Sequence, residues 1–357
     1  MFQMISPRYD QICKFSRLIY KFTMTASALR KFKTFLHEAG LLTPDETATF
    51  TPLDGGVSSD IWRVETNGGT LCIKSALAKL KVDMDWYAPV ARNAYEVAWM
   101  QKANQIVPGT APQILAADPE NGLFVMTYLP PETYPNWKTR LSEGHADPGF
   151  AYKVGDIISR IHTDTMNDPE IEQQFRSDDI FHAIRLEPYL EATADVHPEL
   201  KLALMGLSLT TSKTKAALIH GDVSPKNILV GPNGPVILDA ECAWYGEPAF
   251  DLAFCLNHFL LKCLWKPDFI EDYLSCFDAM VSGYHNRMGA GYADIELRAA
   301  RLLPGLMLGR VDGRSPVEYL TSESSRNHLR RVSIELLKNP PSKLADIRQH
   351  WHNSLNP

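Results

Sequence analysis

The sequence predicts an α+β fold in two parts: a small antiparallel β-sheet with one helix, followed by a larger, mainly helical part. Three observations carry this prediction. Alternating apolar residues on both sides of an Asn-Gly-Gly turn at 67–69 indicate a β-hairpin. The apolar run 123–129 indicates a further strand of the same sheet. After Pro131, apolar residues recur at helical spacing over most of the remaining chain.

The first 23 residues stand apart from this scheme. They mix basic residues with scattered aromatics and lack a continuous apolar run. A helix is predicted directly after them, because the Thr-Ala-Ser run at 25–27 can cap it and Gly40 can end it. We therefore expect residues 1–23 to be an upstream extension, 24–130 to form an N-lobe, and 131–357 to form a C-lobe.

The N-lobe hairpin is predicted at 61–74. Period-2 alternation in its second strand places Cys72 and Lys74 on one face. A helix is predicted at 89–103, and Glu96 on this helix is either an ion-pair partner of Lys74 or a solvated acid. The loop before the hairpin is rich in small residues, whose backbone N–H groups can approach phosphate oxygens closely unless the loop is an ordinary turn. These small residues are Gly55, Gly56, Ser58 and Ser59.

The most informative stretch of the chain runs from His220 to Asp239. Asn227 follows Asp222 by five residues, the spacing of the catalytic loop of protein kinases, and Asp239 ends a strand after a predicted turn at 231–235. This pattern suits phosphoryl transfer: Asp222 can orient a hydroxyl for in-line attack, and Asn227 and Asp239 offer the hard oxygen ligands that Mg²⁺ takes. Taken alone, the His-Gly-Asp triplet also fits a turn that caps its own backbone.

The C-lobe helices follow from the apolar periodicity. They are predicted at 150–165, 180–192, 198–214, 248–262, 269–288, 295–310 and 315–337. Asp251 opens an apolar helix, so we expect it to be a buried hydrogen-bond acceptor that braces the catalytic loop. His220 and His162 are interpreted as structural in the same way.

Composition excludes several classes of partner. The 357-residue chain has a net charge of −6, so it offers no broad basic surface for nucleic acid. No apolar run reaches the roughly 18 residues that a membrane helix needs. The six cysteines contain no Cys-x-x-Cys pair, which favours reduced thiols in a cytoplasmic protein.

The runs 218–230 and 237–254 resemble the aminoglycoside phosphotransferase and choline kinase superfamily, whose fold is that of protein kinases. Members carry His-Gly-Asp, an Asn five residues after the Asp, an Asp-x-Glu, and a buried Asp. The matching positions in this chain are Asp222, Asn227, Asp239 with Glu241, and Asp251. The resemblance implies ATP and Mg²⁺ as cofactors, and transfer of the γ-phosphate to a hydroxyl of an aminoglycoside, an amino alcohol or a sugar-like metabolite.

The resemblance also implies roles for further residues. Lys74 would reach the α- and β-phosphates with Glu96 as its partner, and Glu241 would lie at or near the metal ion. Cys72 would cover the adenine, while the backbone from Met126 to Tyr128 would meet the adenine edge at the hinge between the lobes. Two other interpretations of the function remain: a protein-kinase-like enzyme and a non-catalytic nucleotide-binding relative. The first is weakened because Ala-Glu follows Asp239 where protein kinases have Phe-Gly, and because no Ala-Pro-Glu segment follows.

A partial resemblance to 5-methylthioribose kinases concerns the acceptor side. The run 239–246 is similar to their Asp-Pro-Glu-Phe-Ala-Phe-Tyr-Gly, and Asp85-Trp86 is similar to a Trp-containing loop of that family. Two features differ: Ser-Pro-Lys-Asn at 224–227 replaces His-Thr-Gly-Ser, and a single arginine replaces a pair.

Three residues are expected to contact the acceptor. Trp244 and Tyr245 directly follow the metal-binding segment, where flat rings can cover a sugar. Arg310 is the single arginine just mentioned. The alternatives are that the two rings pack the C-lobe and that Arg310 is a surface or salt-bridge residue.

Overall fold

The computed structural model describes residues 26–53, 58–77 and 89–355. The expectations for the extension 1–23, for Gly55 and Gly56, and for Asp85-Trp86 lie outside these residues. Within them, the N-lobe consists of two helices and five strands. The helices are α1 (Ala26–Glu38) and α2 (Arg92–Ile106), and the strands are β1 (Thr49–Pro52), β2 (Ser59–Thr66), β3 (Gly69–Ala76), β4 (Ile114–Asp118) and β5 (Leu123–Thr127).

The five strands form one antiparallel sheet in the order β1-β2-β3-β5-β4. One face of the sheet packs against α1, where Phe32 and Leu36 join Trp62 and Ile73 in a small core. The predicted fold class gave the sheet one helix, but the helix predicted to end at Gly40 also packs on it, so the N-lobe has two. Because side chains alternate along a strand, the neighbours of Ile73 project from the opposite face, and that face belongs to the main core together with α2.

The C-lobe is mainly helical. Its α-helices are α3 (Trp137–Ser142), α4 (Pro148–Thr165), α5 (Pro169–Gln174), α6 (Asp178–Phe181), α7 (Ala192–Val196), α8 (Lys201–Lys213), α9 (Pro248–Trp265), α10 (Ile270–Met288), α11 (Tyr292–Asp312), α12 (Glu323–Lys338) and α13 (Leu344–Leu355). A π-helix spans His182–Glu191, and short 3₁₀ turns lie at Pro198–Leu200, Pro225–Asn227, Pro267–Phe269 and Gly289–Gly291.

Two small sheets carry the catalytic segments of the C-lobe. Their strands are β6 (Ala217–Ile219), β7 (Ile228–Gly231), β8 (Gly234–Ile237) and β9 (Trp244–Gly246). Strand β6 pairs with β9, and β7 pairs with β8. The hairpin between β7 and β8 was predicted with a five-residue turn. The observed turn has only two residues, because Gly231 pairs directly with Gly234, which adopts a φ of 138°.

Helices α4 and α10 pack closely along most of their length. A Cβ placed on Gly155 would lie 2.2 Å from the Met280 carbonyl oxygen, and one on Gly283 would lie 2.1 Å from the Tyr152 carbonyl oxygen. Each glycine therefore lets the backbone of one helix touch the backbone of the other. This contact sets the position of α4, which carries His162.

The predicted α+β fold is confirmed, and the differences concern the ends of elements. The helix predicted at 315–337 begins only at Glu323, because Ser322 caps it by accepting a hydrogen bond from the backbone N–H of Ser325. The helix predicted at 180–192 is largely a π-helix with Pro188 inside it. In the part of the chain that the structure describes, no helix combines the length and the apolarity needed to cross a bilayer.

Candidate active site

Asp251 at the start of α9 fixes the loop that carries Asp222. Its two oxygens accept hydrogen bonds from the backbone N–H groups of His220 (2.7 Å) and Gly221 (2.8 Å), and from His162 Nε2 (3.2 Å). Asp251 is fully buried, so these bonds form away from water and define the loop strongly. The predicted bracing role of this carboxylate is confirmed.

His220 ties the same loop to the segment that ends in Asp239. The backbone N–H of Asp222 can only donate, so His220 Nδ1 accepts its hydrogen bond at 3.1 Å. His220 Nε2 then carries the ring proton and donates it to the Leu238 carbonyl at 3.0 Å. Burial lowers the pKa of His220 below its usual value, so the ring is neutral, as this arrangement requires. The histidine is therefore structural, as predicted.

Gly221 cannot be replaced without moving the loop. Its φ is 77°, in the left-handed region, and a Cβ on it would lie 2.5 Å from the Cys242 carbonyl oxygen. The glycine lets the loop turn directly against the segment that follows Asp239. It thereby brings the segments that carry Asp222 and Asp239 together.

The Asp222 carboxylate has two cationic neighbours. Its Oδ2 lies 2.8 Å from Arg185 Nη2 and 3.2 Å from Lys226 Nζ. Burial raises the pKa of Asp222, but the positive charges of Arg185 and Lys226 outweigh this effect, and the net shift is downwards. At neutral pH Asp222 is thus an anion that accepts hydrogen bonds.

Lys74 lies between the two lobes and bridges two carboxylates. Its Nζ is 2.8 Å from Glu96 Oε1 on α2 and 2.5 Å from Asp239 Oδ1. Burial lowers the pKa of Lys74, but the charges of Asp239 and Glu96 more than compensate and raise it above its usual value. The lysine stays charged, and Glu96 holds it against the cavity.

Asp239 adopts an unusual backbone conformation, with a φ of 67°. Residues other than glycine rarely populate this region, and such strain concentrates at functional sites. The side chain is 28% exposed, so its carboxylate combines contact with Lys74 and access to the cavity. Asn227 lies close by, and its Nδ2 donates to the Asp222 carbonyl at 3.1 Å, which leaves its side-chain oxygen as the atom available to a metal.

Lys74, Asn227 and Asp239 line a cavity of about 450 Å³ between the sheet and the C-lobe. Asp222 is not among the lining residues, but it contacts Lys226, which is. Cys72 and Lys74 both line the cavity, as the predicted alternation along β3 requires. Of the residues expected to bind the nucleotide, the cavity is lined by Ser58, Cys72, Lys74, Glu96, Met126 and Tyr128. Ser59 is different: it is fully buried in β2 opposite Ala76 and is not among the residues that line the cavity.

Glu241 is engaged by an arginine that the sequence did not single out. Its Oε2 accepts a hydrogen bond from Arg92 Nε at 3.0 Å, and Arg92 also donates to the backbone carbonyls of Leu77 and Pro89. Both side chains are buried. Glu241 thus connects α2 to the segment after Asp239. Direct metal ligation by Glu241 remains a proposal, and this pairing favours a position beside the ion's own ligands.

The expectation that Trp244 and Tyr245 cover an acceptor is corrected by their burial. Trp244 is 1% exposed and stacks on Phe181 at 4.3 Å, and Tyr245 is 3% exposed with its hydroxyl donating to the Ala216 carbonyl. Both rings pack inside the C-lobe, because strand β9 pairs with β6 there.

Arg310 is not among the residues that line the cavity. Its Nη1 donates to the Tyr189 hydroxyl at 2.9 Å and to the Ser315 carbonyl at 2.6 Å. Its guanidinium also lies 5.5 Å from the centre of the Tyr189 ring, and the guanidinium of Arg185 lies 5.8 Å from the same ring. Tyr189 therefore connects Arg310 to the arginine that contacts Asp222.

Arg185 is a buried residue of the site that the sequence did not single out. It is 5% exposed, on the π-helix, and its Nε donates to the Gly221 carbonyl at 2.5 Å. One signal was present in the sequence: Arg185 stands between Ile184 and Leu186, and an arginine within an apolar helical face needs a buried partner. The identity of that partner depends on tertiary packing.

The comparison with family models identifies the class. A model of the phosphotransferase enzyme family matches residues 49–286, and the chain belongs to this family. Two solved structures share the fold. A choline kinase from Cryptosporidium parvum Iowa II is 13% identical, with a TM-score of 0.52 over 87% of this chain and 97% of that one. A choline/ethanolamine kinase family protein from Mesorhizobium loti is 16% identical, with a TM-score of 0.50 over 92% and 99%. The fold is thus protein-kinase-like.

Curated relatives include methylthioribose kinases at low identity. Methylthioribose kinase 2 of Oryza sativa subsp. japonica is 22% identical over 60% of this chain and 57% of its own length. Methylthioribose kinase of Erwinia tasmaniensis is 24% identical over 70% of this chain and 68% of its own length. The chain thus matches little more than half of the length of the rice kinase.

Proposed function

We propose that this protein is an ATP-dependent phosphotransferase that moves the γ-phosphate of ATP to a hydroxyl of a small molecule. The observation that carries the proposal is the convergence of Lys74, Asn227 and Asp239 on one cavity, with Asp222 beside it. About 450 Å³ lies within the range of pockets that enclose small molecules and cofactors. Family membership supports the same reaction class.

The donor set fits Mg²⁺ that is held together with nucleotide phosphates. Asp239 supplies a carboxylate and Asn227 an amide oxygen, both hard ligands. Across the described ranges of the chain, no group of three or more His, Cys, Asp or Glu side chains could hold a metal ion by itself. Mg²⁺ usually binds through one or two protein ligands plus phosphates and water, and Asp239 and Asn227 supply two such ligands. When bound, the ion neutralises charge on the β- and γ-phosphates.

In this proposal the nucleotide lies in the cavity with its base against the N-lobe. Cys72, Met126 and Tyr128 line the part that would surround the adenine, and Lys74 reaches the phosphates. Glu96 holds the Lys74 side chain in one conformation, because the 2.8 Å ion pair between them is buried. Positioning of this kind is most of what phosphoryl transfer requires from a protein.

Asp222 orients the acceptor hydroxyl in this proposal. Its low pKa makes it a weak base, which suits a loose transition state in which the hydroxyl loses its proton late. Lys226 is suited to the charge on the transferred group, since it lines the cavity and lies next to Asp222. Arg185 acts through Asp222, which it holds in place.

Coupled ADP release tests this proposal, with hydroxylated small molecules and peptides as alternative acceptors. We expect a small hydroxylated compound to stimulate ADP release, and EDTA to abolish the stimulation. Stimulation by peptides alone would instead support a protein-kinase-like enzyme. ATP binding without turnover under any condition would support a non-catalytic relative.

A further inference from the structure

A group of basic residues lies in the C-lobe beyond the arginine that contacts Asp222. We call it the basic cluster; its members are Lys138 on α3, His258 and Lys262 on α9, Arg310 on α11, and Tyr319 in the loop after α11. The proposal above gives none of them a role, although Lys138 also lines the nucleotide cavity.

Lys262 is the central member of the basic cluster. Its side chain is 1% exposed, yet no described residue accepts a hydrogen bond from its ammonium or forms an ion pair with it. Its Nζ lies 5.2 Å from the centre of the Tyr319 ring and 5.9 Å from that of Trp265. Burial lowers the pKa of Lys262 to about 7, with the charge of Lys138 adding to this effect. A buried ammonium without a counter-ion is costly, and side chains of this kind concentrate at binding sites.

Two further polar atoms of the basic cluster are also buried without a partner. Within the described residues, nothing accepts a hydrogen bond from the Tyr319 hydroxyl or from Arg310 Nε. Buried donors are nearly always satisfied in folded proteins, so these two atoms, together with the Lys262 ammonium, point to a ligand that accepts hydrogen bonds. Lys138 lies at the edge of the group, with its Nζ 5.7 Å from the Tyr319 ring.

The positive charge of the basic cluster indicates which type of ligand it can bind. Lys138, Lys262 and Arg310 are basic, whereas Glu318 is the acid nearby; its side chain is 68% exposed and pairs with Lys138. Burial lowers the pKa of His258 well below its usual value. The positive charges around the ring lower this pKa further, and Arg310 has the largest effect among them. An anion suits this environment, and an ammonium group does not.

The basic cluster is continuous with the catalytic residues. Phe254, His258 and Lys262 follow one another on the same face of α9, because they are four residues apart. Arg185, which contacts Asp222, lies 5.5 Å from the Phe254 ring. The helical rise places Lys262 about 12 Å along α9 from Phe254. One ligand of moderate length can therefore present a hydroxyl to Asp222 and an anionic group to Lys262.

We propose that the basic cluster binds an anionic group of the phosphoryl acceptor, a carboxylate or a phosphate ester, through Lys262, Arg310 and Tyr319. The proposal rests on the phosphotransferase function proposed above and narrows its substrate class. It disfavours cationic acceptors such as aminoglycosides and amino alcohols, because their charge would meet Lys262 and Arg310 directly.

The first test uses inorganic sulfate as the anion and protein saturated with Mg²⁺ and a non-hydrolysable ATP analogue, so that all three phosphate positions of the nucleotide site are filled. Isothermal titration should show one sulfate site per chain in the wild type. Lys262→Met should weaken sulfate binding by at least about tenfold, the usual scale for losing a charge-assisted hydrogen bond. The control is Lys266→Met, because Lys266 lies 5.4 Å from the same Trp265 ring but outside the basic cluster, and it should bind sulfate as the wild type does.

A wild type without a sulfate site, or Lys262→Met with wild-type sulfate affinity, would overturn the proposal. If Lys262→Met melts at a much lower temperature than the wild type, Tyr319→Phe decides the question. Tyr319→Phe removes only the hydroxyl that donates to the anion, and it should still weaken sulfate binding several-fold.

The second test compares acceptors by coupled ADP release. Polyols are paired with the sugar acids and the sugar phosphates of the same carbon skeleton. We expect at least one anionic series to exceed the polyols about tenfold in kcat/KM, and the series that responds distinguishes carboxylate from phosphate ester. Preference for neutral or cationic acceptors would overturn the proposal and leave the phosphotransferase function intact. Failure of the ATP analogue to bind would overturn the phosphotransferase function, whereas the sulfate titration would still test the basic cluster.

Discussion

Arg185 offers the sharpest test of how the protein controls its catalytic carboxylate. Arg185→Met removes the 2.8 Å contact to Asp222 and the 2.5 Å hydrogen bond to the Gly221 carbonyl, and it leaves Lys226 as the only cation that contacts Asp222 among the residues described. A hydrogen bond to a buried charge contributes about 1.5–3 kcal/mol. At 1.36 kcal/mol per pKa unit, the pKa of Asp222 should therefore rise by roughly 1–2 units.

The direction of the pH effect follows from the wild-type pKa of Asp222. That pKa lies below its usual value, and Asp222 acts as an anion, so activity is present above this pKa and is lost as pH falls through it. In Arg185→Met the acid limb of kcat/KM should move to higher pH by about the same 1–2 units. If Arg185 had a purely structural role, Arg185→Met would lower kcat/KM at every pH, and the pH at which activity is lost on the acid side would not change.

The assay is coupled ADP release with an acceptor identified as above, measured from acidic to mildly alkaline pH. Arg185→Lys is the matched control, because it keeps the positive charge but loses the planar, two-pronged guanidinium. The acid side of its kcat/KM profile should therefore move less than that of Arg185→Met. Thermal melting establishes that each variant is folded over the range used. An acid limb in Arg185→Met that coincides with that of the wild type would refute this reasoning.

Three further predictions follow from the site. Asp239→Ala should lose nearly all activity, while Asn227→Ala should need more Mg²⁺ for half-maximal rate, because a neutral amide is the weaker ligand; equal Mg²⁺ dependence in the wild type and Asn227→Ala would contradict this. Lys74→Ala and Glu96→Ala should each weaken ATP use, and the double variant should lose less than the sum, since the pair acts as a unit; additive losses in kcat/KM would separate them. Gly221→Ala should lower the melting temperature and activity together, because its Cβ would meet the Cys242 carbonyl; a wild-type melting curve would argue otherwise.

Local patterns predicted a large part of this protein because they reflect short-range geometry. Alternation along β3 predicted that Cys72 and Lys74 share a face, and both line the cavity. The spacing from Lys74 to Glu96 predicted a partner, and the structure places the two 2.8 Å apart. The fold class followed from the same patterns.

The remaining features depend on packing between distant segments. Arg185 meets Asp222 only because a π-helix turns it towards the catalytic loop, and a helical period of 3.6 residues does not describe such a helix. Trp244 had an apparent functional place in the sequence, yet the pairing of β9 with β6 buries it. The isolation of Lys262 is likewise a property of its surroundings, which the sequence does not show.

The central claim is that Asp222 directs transfer of the γ-phosphate to a small-molecule hydroxyl. The most direct measurement is ³¹P NMR of Mg²⁺-ATP mixed with an acceptor, comparing the wild type with Asp222→Asn, together with ATP affinities for both. The wild type should form ADP and a new phosphomonoester in equal amounts. Asp222→Asn should bind ATP as tightly but form the ester roughly 10²–10⁴-fold more slowly. Ester formation at the wild-type rate by Asp222→Asn, or only inorganic phosphate from the wild type, would contradict the claim.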